Sequence, residues 1–405
     1  MRRIKIYLIL MLMGFLAFAC NPVVITPKIS QSFVATGTAT ITRVFTQTYT
    51  PTWTPTGSYT YTPTLSPTPT FTFTLTPTFT PAFTFTATFT PPPMDGGCTQ
   101  DNLTGIGSSG TYGVGYPTSI VPLCNGWVLA AESNRVQAFN VVYQTLGASY
   151  PLSSPPGDMA YDPSTQTLWV ILANLPTVAK INVGTGVISY VTLTGDGAHL
   201  AAAANGCAFV SLQASTYVVV NYINGTGSVA GSVTISDIFV NAFIACNSAG
   251  TTLYAGPQAL VGGYTGEYSF NTTTFALGLI ALVDGYSQNG QEMELSSDGN
   301  HLAYPNGGGN GPGYSIYDLM GSNINSNYGA WVTGPYPTSA GFSPDSANFV
   351  ATNGTDLQVF SVATHAVSKP TWTGVGNLKV TRFSLGGGLV YGLQTPGTIF
   401  WETFP

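Results

Sequence analysis

Gly341-Phe342-Ser343-Pro344-Asp345-Ser346, followed by Phe349-Val350-Ala351, then by Leu357-Gln358-Val359-Phe360-Ser361-Val362 and Ala366-Val367, is the stretch on which the fold turns. Short β-branched and aromatic runs alternate there with Ser, Pro, Asp and Asn clusters, which is the pattern of strand, tight turn, strand. The same unit occurs at Val121 to Leu129 around Asn125-Gly126, at Met159 to Val170, and at Leu200 to Val210 around Asn205-Gly206. It recurs at Phe243 to Tyr254 around Ser248-Ala249-Gly250, at Met293 to Tyr304 around Ser297-Asp298-Gly299, and at Arg382 to Tyr391 around Gly386-Gly387-Gly388. The first residue after each turn is 127, 168, 207, 253, 302, 349 and 389, giving spacings of 41, 39, 46, 49, 47 and 40.

A repeat of roughly 40 to 50 residues built from short strands is the signature of propeller blades with four strands each. Later strands of a blade are visible as Val178 to Asn182, Gly184-Thr185-Gly186 and Val187 to Val191. The expected fold is therefore all-β, a seven-bladed β-propeller. Its last unit has room for three strands, so the segment around Gly107 to Tyr116 is expected to supply the fourth and close the ring by pairing N- and C-terminal strands. A two-sheet sandwich is the alternative architecture. No stretch of ten or more residues has a helical period, and Ala201 to Ala204 is too short to nucleate a helix.

Gly341 to Val367 resembles a WD-repeat or YVTN-type blade, and Tyr161 to Leu193 is similar to the YVTN and lactonase-like propellers, in which a turn bearing Asp or Gly joins the inner strands. The closing Trp-Asp of the WD-repeat family is replaced by Phe360-Ser361. In lactonase-like propellers, acid, base and carbonyl-polarising groups converge in a central funnel. That resemblance implies a corresponding place here for His199, Glu292, Glu294 and Arg382, which lie in comparable inner-strand segments where Ala160, Ala245 and Gly341 are small. Solvated strand ends are the simpler reading of these four residues.

Only 6% of the 405 residues are charged, against 44% hydrophobic. All 16 acidic residues lie at or after Asp95, and residues 95–405 hold five basic ones, for a formal charge of −11. An acidic body repels polyanions, which excludes nucleic acid as a partner and leaves no polybasic route to a membrane. The leader offers another route. Arg2, Arg3 and Lys5 precede an apolar run of 13 residues, Ile6 to Phe18, too short for a spanning helix. It ends in Leu16-Ala17-Phe18-Ala19-Cys20, which resembles the bacterial lipoprotein signal. That resemblance implies a signal peptide over 1–19, cleavage before Cys20 and a lipid anchor on its thiol, with the protein held outside the cytoplasm on the outer membrane or the outer face of the cytoplasmic membrane. An ordinary secretory signal is the alternative.

Residues 20–95 are a low-complexity tether. From Thr36 to Thr90, 24 of the 28 even positions are Thr, while Pro, Phe, Tyr, Leu and Ala fill the odd ones. Recurrent Pro favours an extended, disordered spacer over a β ladder, and the dense hydroxyls suit O-glycosylation. The folded domain spans 96–405. Cys98, Cys124, Cys207 and Cys246 form an even set suited to an oxidising compartment. Three pairings exist, and the preferred one joins Cys98 to Cys124 and Cys207 to Cys246, with reduced thiols as the alternative.

Chemistry-bearing motifs are sparse. His199, His301 and His365 lack zinc-binding context, no GxSxG elbow occurs, and Gly307 to Gly313 has no phosphate-loop lysine. No cofactor, metal or catalytic residue is expected. Ser297-Asp298-Gly299-Asn300 reads as a blade turn rather than a calcium loop. Tyr314, Tyr317, Tyr328 and Tyr336 suggest aromatic contact surfaces, and Asn102, Asn224, Asn271 and Asn353 form sequons near turns. The combined expectation is a binding or display module for protein or glycan partners. A lactonase-like hydrolase with a central-funnel site and an inert cell-surface component stay open.

Overall fold

The computed structural model describes residues 98–404 except 99, 104–106, 116, 214–215, 240, 259–262, 286–292, 306–313, 320–338, 353–355, 365, 369–371, 373–374 and 377. The signal segment, Cys20, the Thr-rich tether, Glu292, Gly307 to Gly313, Tyr328, Tyr336, His365 and Asn353 lie outside the described residues.

Among the described residues the strands form five four-stranded and two three-stranded antiparallel sheets. The first comprises Ile120–Pro122, Trp127–Glu132, Arg135–Asn140 and Thr145–Pro151. The second comprises Pro156–Asp162, Thr167–Leu172, Thr177–Asn182 and Ile188–Thr192. The third holds Gly197–Ala203, Cys207–Leu212, Tyr217–Ile223 and Val229–Phe239, and the fourth Ala242–Cys246, Thr252–Pro257, Gly263–Phe270 and Leu277–Gly285. Two sheets have three strands: Glu294–Leu295, His301–Pro305 and Tyr314–Asp318 in one, Ser339–Phe342, Asn348–Thr352 and Leu357–Ser361 in the next. The last sheet is Leu378–Phe383, Leu389–Gln394 and Thr398–Thr403 with Ser109–Gly113 added at its outer edge.

This corrects the expectation of seven four-stranded blades. Five sheets reach four strands, and the sheets opening at Glu294 and Ser339 hold three each, so seven complete blades are not present among the described residues. Among the described residues the second of these is extended by isolated bridges, Leu357 to Trp372 and Phe360 to Val367.

A turn rule explains why the sequence folds this way. Asn125 and Gly126, at φ 56° and 81°, and Asn205 and Gly206, at 65° and 69°, both take left-handed pairs, the conformation that joins strongly twisted strands. In four other turns the fourth residue is left-handed, at Gly250, Gly299, Ser346 and Gly387. Each of these amides bonds back to the carbonyl three residues earlier, at 2.8–3.0 Å.

Burial follows position within each sheet. Second strands are almost wholly buried, as in Thr167–Leu172 and Cys207–Leu212, whereas the outermost strands Thr145–Pro151 and Ile188–Thr192 are largely exposed. Trp169, Phe209, Phe349 and Tyr391 fill the space between sheets from second strands. One apolar cluster joins the first and second sheets, another the second and third, and so on around to the last and first. The sheets therefore close into a ring. At its seam Ser109–Gly113 pairs antiparallel with Thr398–Thr403, with Gly110 opposite Trp401. A Cβ at Gly110 would stand 2.8 Å from the Trp401 indole, so close packing of that ring requires glycine there.

Candidate functional site

The first strands of the sheets face a central funnel of about 350 Å³. Asp158, Tyr161, His199, Cys246, Glu294 and Arg382 are among its lining residues. The inner strands are short and carry small residues where they crowd, so the occasional long side chain reaches into the opening.

Three of the four residues expected in the funnel are there, and they form parts of two pairs, Glu294 with Arg382 and His199 with Asp158. Arg382 Nε lies 3.2 Å from Glu294 Oε2, each side chain being about a quarter exposed. Glu294 Oε1 accepts the Phe342 amide at 3.0 Å, while Arg382 Nη1 donates to the Ala340 and Thr381 carbonyls at 3.0 and 2.9 Å and to Ser339 Oγ at 3.3 Å. The pair thus ties three neighbouring sheets. His199 Nδ1 is 3.7 Å from Asp158 Oδ2, its Nε2 is 3.0 Å from Gln258 Oε1, and its ring lies 4.4 Å from that of Phe243. Asp158 is itself oriented by the Met159 and Leu200 amides, both at 2.9 Å. Asp158 and Gln258 escaped the sequence reading. Asp158 stands one residue before the inner run that begins at Met159, and Gln258 follows a second strand, so neither sits in the repeated motif.

Burial favours the neutral forms of the Tyr161 hydroxyl and the Cys246 thiol. Burial, followed by the nearby Asp162 and Tyr150, pushes the Tyr161 phenol up to about 12. Burial and then the neighbouring Cys207 raise the Cys246 thiol to about 12, and its Sγ donates to the Ala202 carbonyl at 3.4 Å. Cys246 is consequently a poor nucleophile at neutral pH.

Cys98 and Cys124 form a disulfide. The expected Cys207–Cys246 bond is corrected, because both thiols are free. Cys207 instead accepts a hydrogen bond from the Tyr222 hydroxyl at 3.3 Å, and Cys246 turns to a backbone carbonyl. Tyr314 and Tyr317 fall in the third strand of their sheet. His301 follows the Asp298 turn, its ring 6.3 Å from Phe342. Burial opposes ionisation of Asp298, but the Ser296 hydroxyl, the Asn300 amide and side chain, and the nearby His301 together hold it below the usual carboxylate value. Among the described residues no three metal-ligating side chains gather.

No family model matches the chain, and no curated protein matches it either. Among solved structures it is similar to hydrazine synthase of Kuenenia stuttgartiensis, at 11% identity and a TM-score of 0.56, covering 75% of this chain and 97% of that one. It is equally similar to the β-propeller domain of Cps50 (Swd1) from Myceliophteria thermophila, at 11% identity and a TM-score of 0.55, covering 75% of this chain and all of that one. At such identity the likeness concerns architecture alone, and with the closed ring of sheets it establishes that this chain has a β-propeller fold.

Proposed function

We propose that the chain is a non-catalytic binding module, anchored through lipid on Cys20 to the outside of a bacterial membrane and carrying its propeller on the Thr-rich tether toward a protein or glycan partner. The observation that supports binding over catalysis is the commitment of the funnel's charged groups to one another. Both oxygens of Glu294 are engaged, Arg382 is held by backbone carbonyls, and the thiol of Cys246 is protonated. Such groups make a fixed, polar wall, whereas covalent catalysis needs an activated nucleophile beside a base. The funnel volume falls within the roughly 300–1,000 Å³ of small-ligand sites, and Phe243, Tyr161 and Phe342 line it beside the charged pairs, a mixture suited to a sugar or a short polar loop.

The hydrolase reading has one observation of its own, the Asp158–His199 pair, which has the form of a carboxylate orienting an imidazole base. Gln258 occupies the nitrogen that would face a nucleophile. The test is a glycan array and an envelope-extract pull-down with the whole chain and with Glu294→Gln. Capture of a defined glycan or protein that weakens at least tenfold in E294Q supports the module. Lactone hydrolysis by the wild-type chain that disappears in His199→Ala would overturn it in favour of the enzyme, and neither capture nor turnover would leave the inert component.

A further inference from the structure

Two of the turns between first and second strands share a hydrogen-bond plan built on a carboxylate two residues after a serine. Asp298 accepts from Ser296 Oγ at 2.6 Å and from the Asn300 amide at 3.0 Å. Asp345 does the same for Ser343 Oγ and the Ala347 amide. In the last sheet the equivalent stretch is Ser384-Leu385-Gly386-Gly387-Gly388, with glycine where the carboxylate belongs. The backbone plan is unchanged: the Gly387 amide bonds to the Ser384 carbonyl at 3.0 Å, and the Ser384 amide to that of Leu389 at 2.9 Å.

The missing carboxylate comes from almost the other end of the folded chain. Asp101, 7% exposed, accepts from Ser384 Oγ and from the Gly388 amide at 2.9 Å through Oδ2, the two donors that Asp298 and Asp345 serve within their own turns. Glycine at 386 and 388 makes room for it. A Cβ on Gly386 would stand 2.7 Å from Asp101 Cγ, and one on Gly388 would stand 3.0 Å from Leu103 Cδ1. The other oxygen, Oδ1, accepts the Asn125 amide at 2.7 Å, and Asn125 Oδ1 accepts the Asn102 amide at 2.8 Å. A carboxylate bonded to a turn amide of the next sheet also joins the second and third sheets, where Asp162 Oδ2 accepts the Gly206 amide at 2.8 Å.

We propose that Asp101 is the absent turn carboxylate of the last sheet supplied in trans, and that the segment around it, fixed to Cys124 through Cys98, is a strap locking the seam where the ring closes. A load carried by the chain before Cys98 then falls on the first sheet through the disulfide and on the last sheet through Asp101. It is shared by the two sheets whose separation would open the ring. This inference does not depend on what the funnel binds.

Amide hydrogen exchange in the full chain tests it. Asp101→Ala is expected to lower the Tm by roughly 3–6 °C and to speed exchange at both Gly388 and Asn125 more than at Ala347, whose turn has its own carboxylate. Should D101A not fold, Asp101→Asn, which keeps one acceptor oxygen where two are used, should speed exchange at Gly388 or at Asn125. Unchanged exchange at Gly388 in D101A, or at both Gly388 and Asn125 in D101N, would overturn the proposal.

Discussion

A single partly buried thiol shows how environment decides chemistry at the scale of one residue. Cys246 sits on the funnel wall with its Sγ on a carbonyl oxygen, and burial pushes it from 9.0 to about 12. Alkylation requires the thiolate, so iodoacetamide at pH 8 should label Cys246 in the folded chain at least about a hundredfold more slowly than in urea, as read by peptide mass spectrometry. Labelling at similar rates in both would show that the thiol is not held protonated. His199, Glu294 and Arg382 could be read as funnel residues because the repeat placed them at matching points of inner strands. Asp158 could not, since its role comes from the Leu200 amide in the neighbouring sheet, a contact that no spacing along one strand encodes. The free Cys207 and Cys246 have the same explanation: an even cysteine count says nothing of the tyrosine and carbonyl that partner each sulfur.

Among elements, first and second strands were legible because their turns carry strong signals, Asn-Gly or Ser-x-Asp, between apolar runs. Outer strands carry weaker ones. Leu277–Gly285 reads Leu-Gly-Leu-Ile-Ala-Leu-Val-Asp-Gly, with no clean alternation, yet it is the outer edge of the fourth sheet and pairs only with Gly263–Phe270 among the described strands. Leu279 and Ile280 are 52% and 38% exposed on it. An apolar, unpaired edge invites strand addition from another chain, and a charge there blocks it. Leu279→Lys should therefore reduce concentration-dependent light scattering of the purified protein while changing unfolding free energy by no more than about 0.5 kcal/mol. A loss well above that figure, with scattering unchanged, would mean that Leu279 serves the core and that the edge is harmless. The two three-stranded sheets belong to this scale too. Spacing counts turns, and it does not register that, among the described residues, the chain beyond Leu357–Ser361 meets that strand through isolated bridges.

For the whole molecule, ring closure was legible because the final unit visibly lacked a strand, and the pairing of Ser109–Gly113 with Thr398–Thr403 supplies it. What spacing could not convey is how many phenols the closed ring would bury. Tyr150 and Tyr161 are raised from 10.0 to about 12, chiefly by burial; burial also raises Tyr222, joined by its hydrogen bond to Cys207, and Tyr254, Tyr268 and Tyr391, joined by the nearby Glu267, Asp237 and Asp101. With so few charges on the chain, these groups and Cys246 dominate its alkaline response. Their folded values lie above their unfolded ones, so the native state holds protons that the unfolded chain releases from about pH 9 upward. Stability is then fully present below pH 9 and falls as pH rises toward 12, each such group adding up to about 1.4 kcal/mol per pH unit to the slope. Urea unfolding at pH 8, 9, 10 and 11 should show a midpoint that drops steeply over the last two steps, with Cys246→Ala flattening the fall between pH 9 and 10. A midpoint constant from pH 8 to 11 would mean that the phenols ionise equally in both states, and that the tyrosines between the sheets are reached by water.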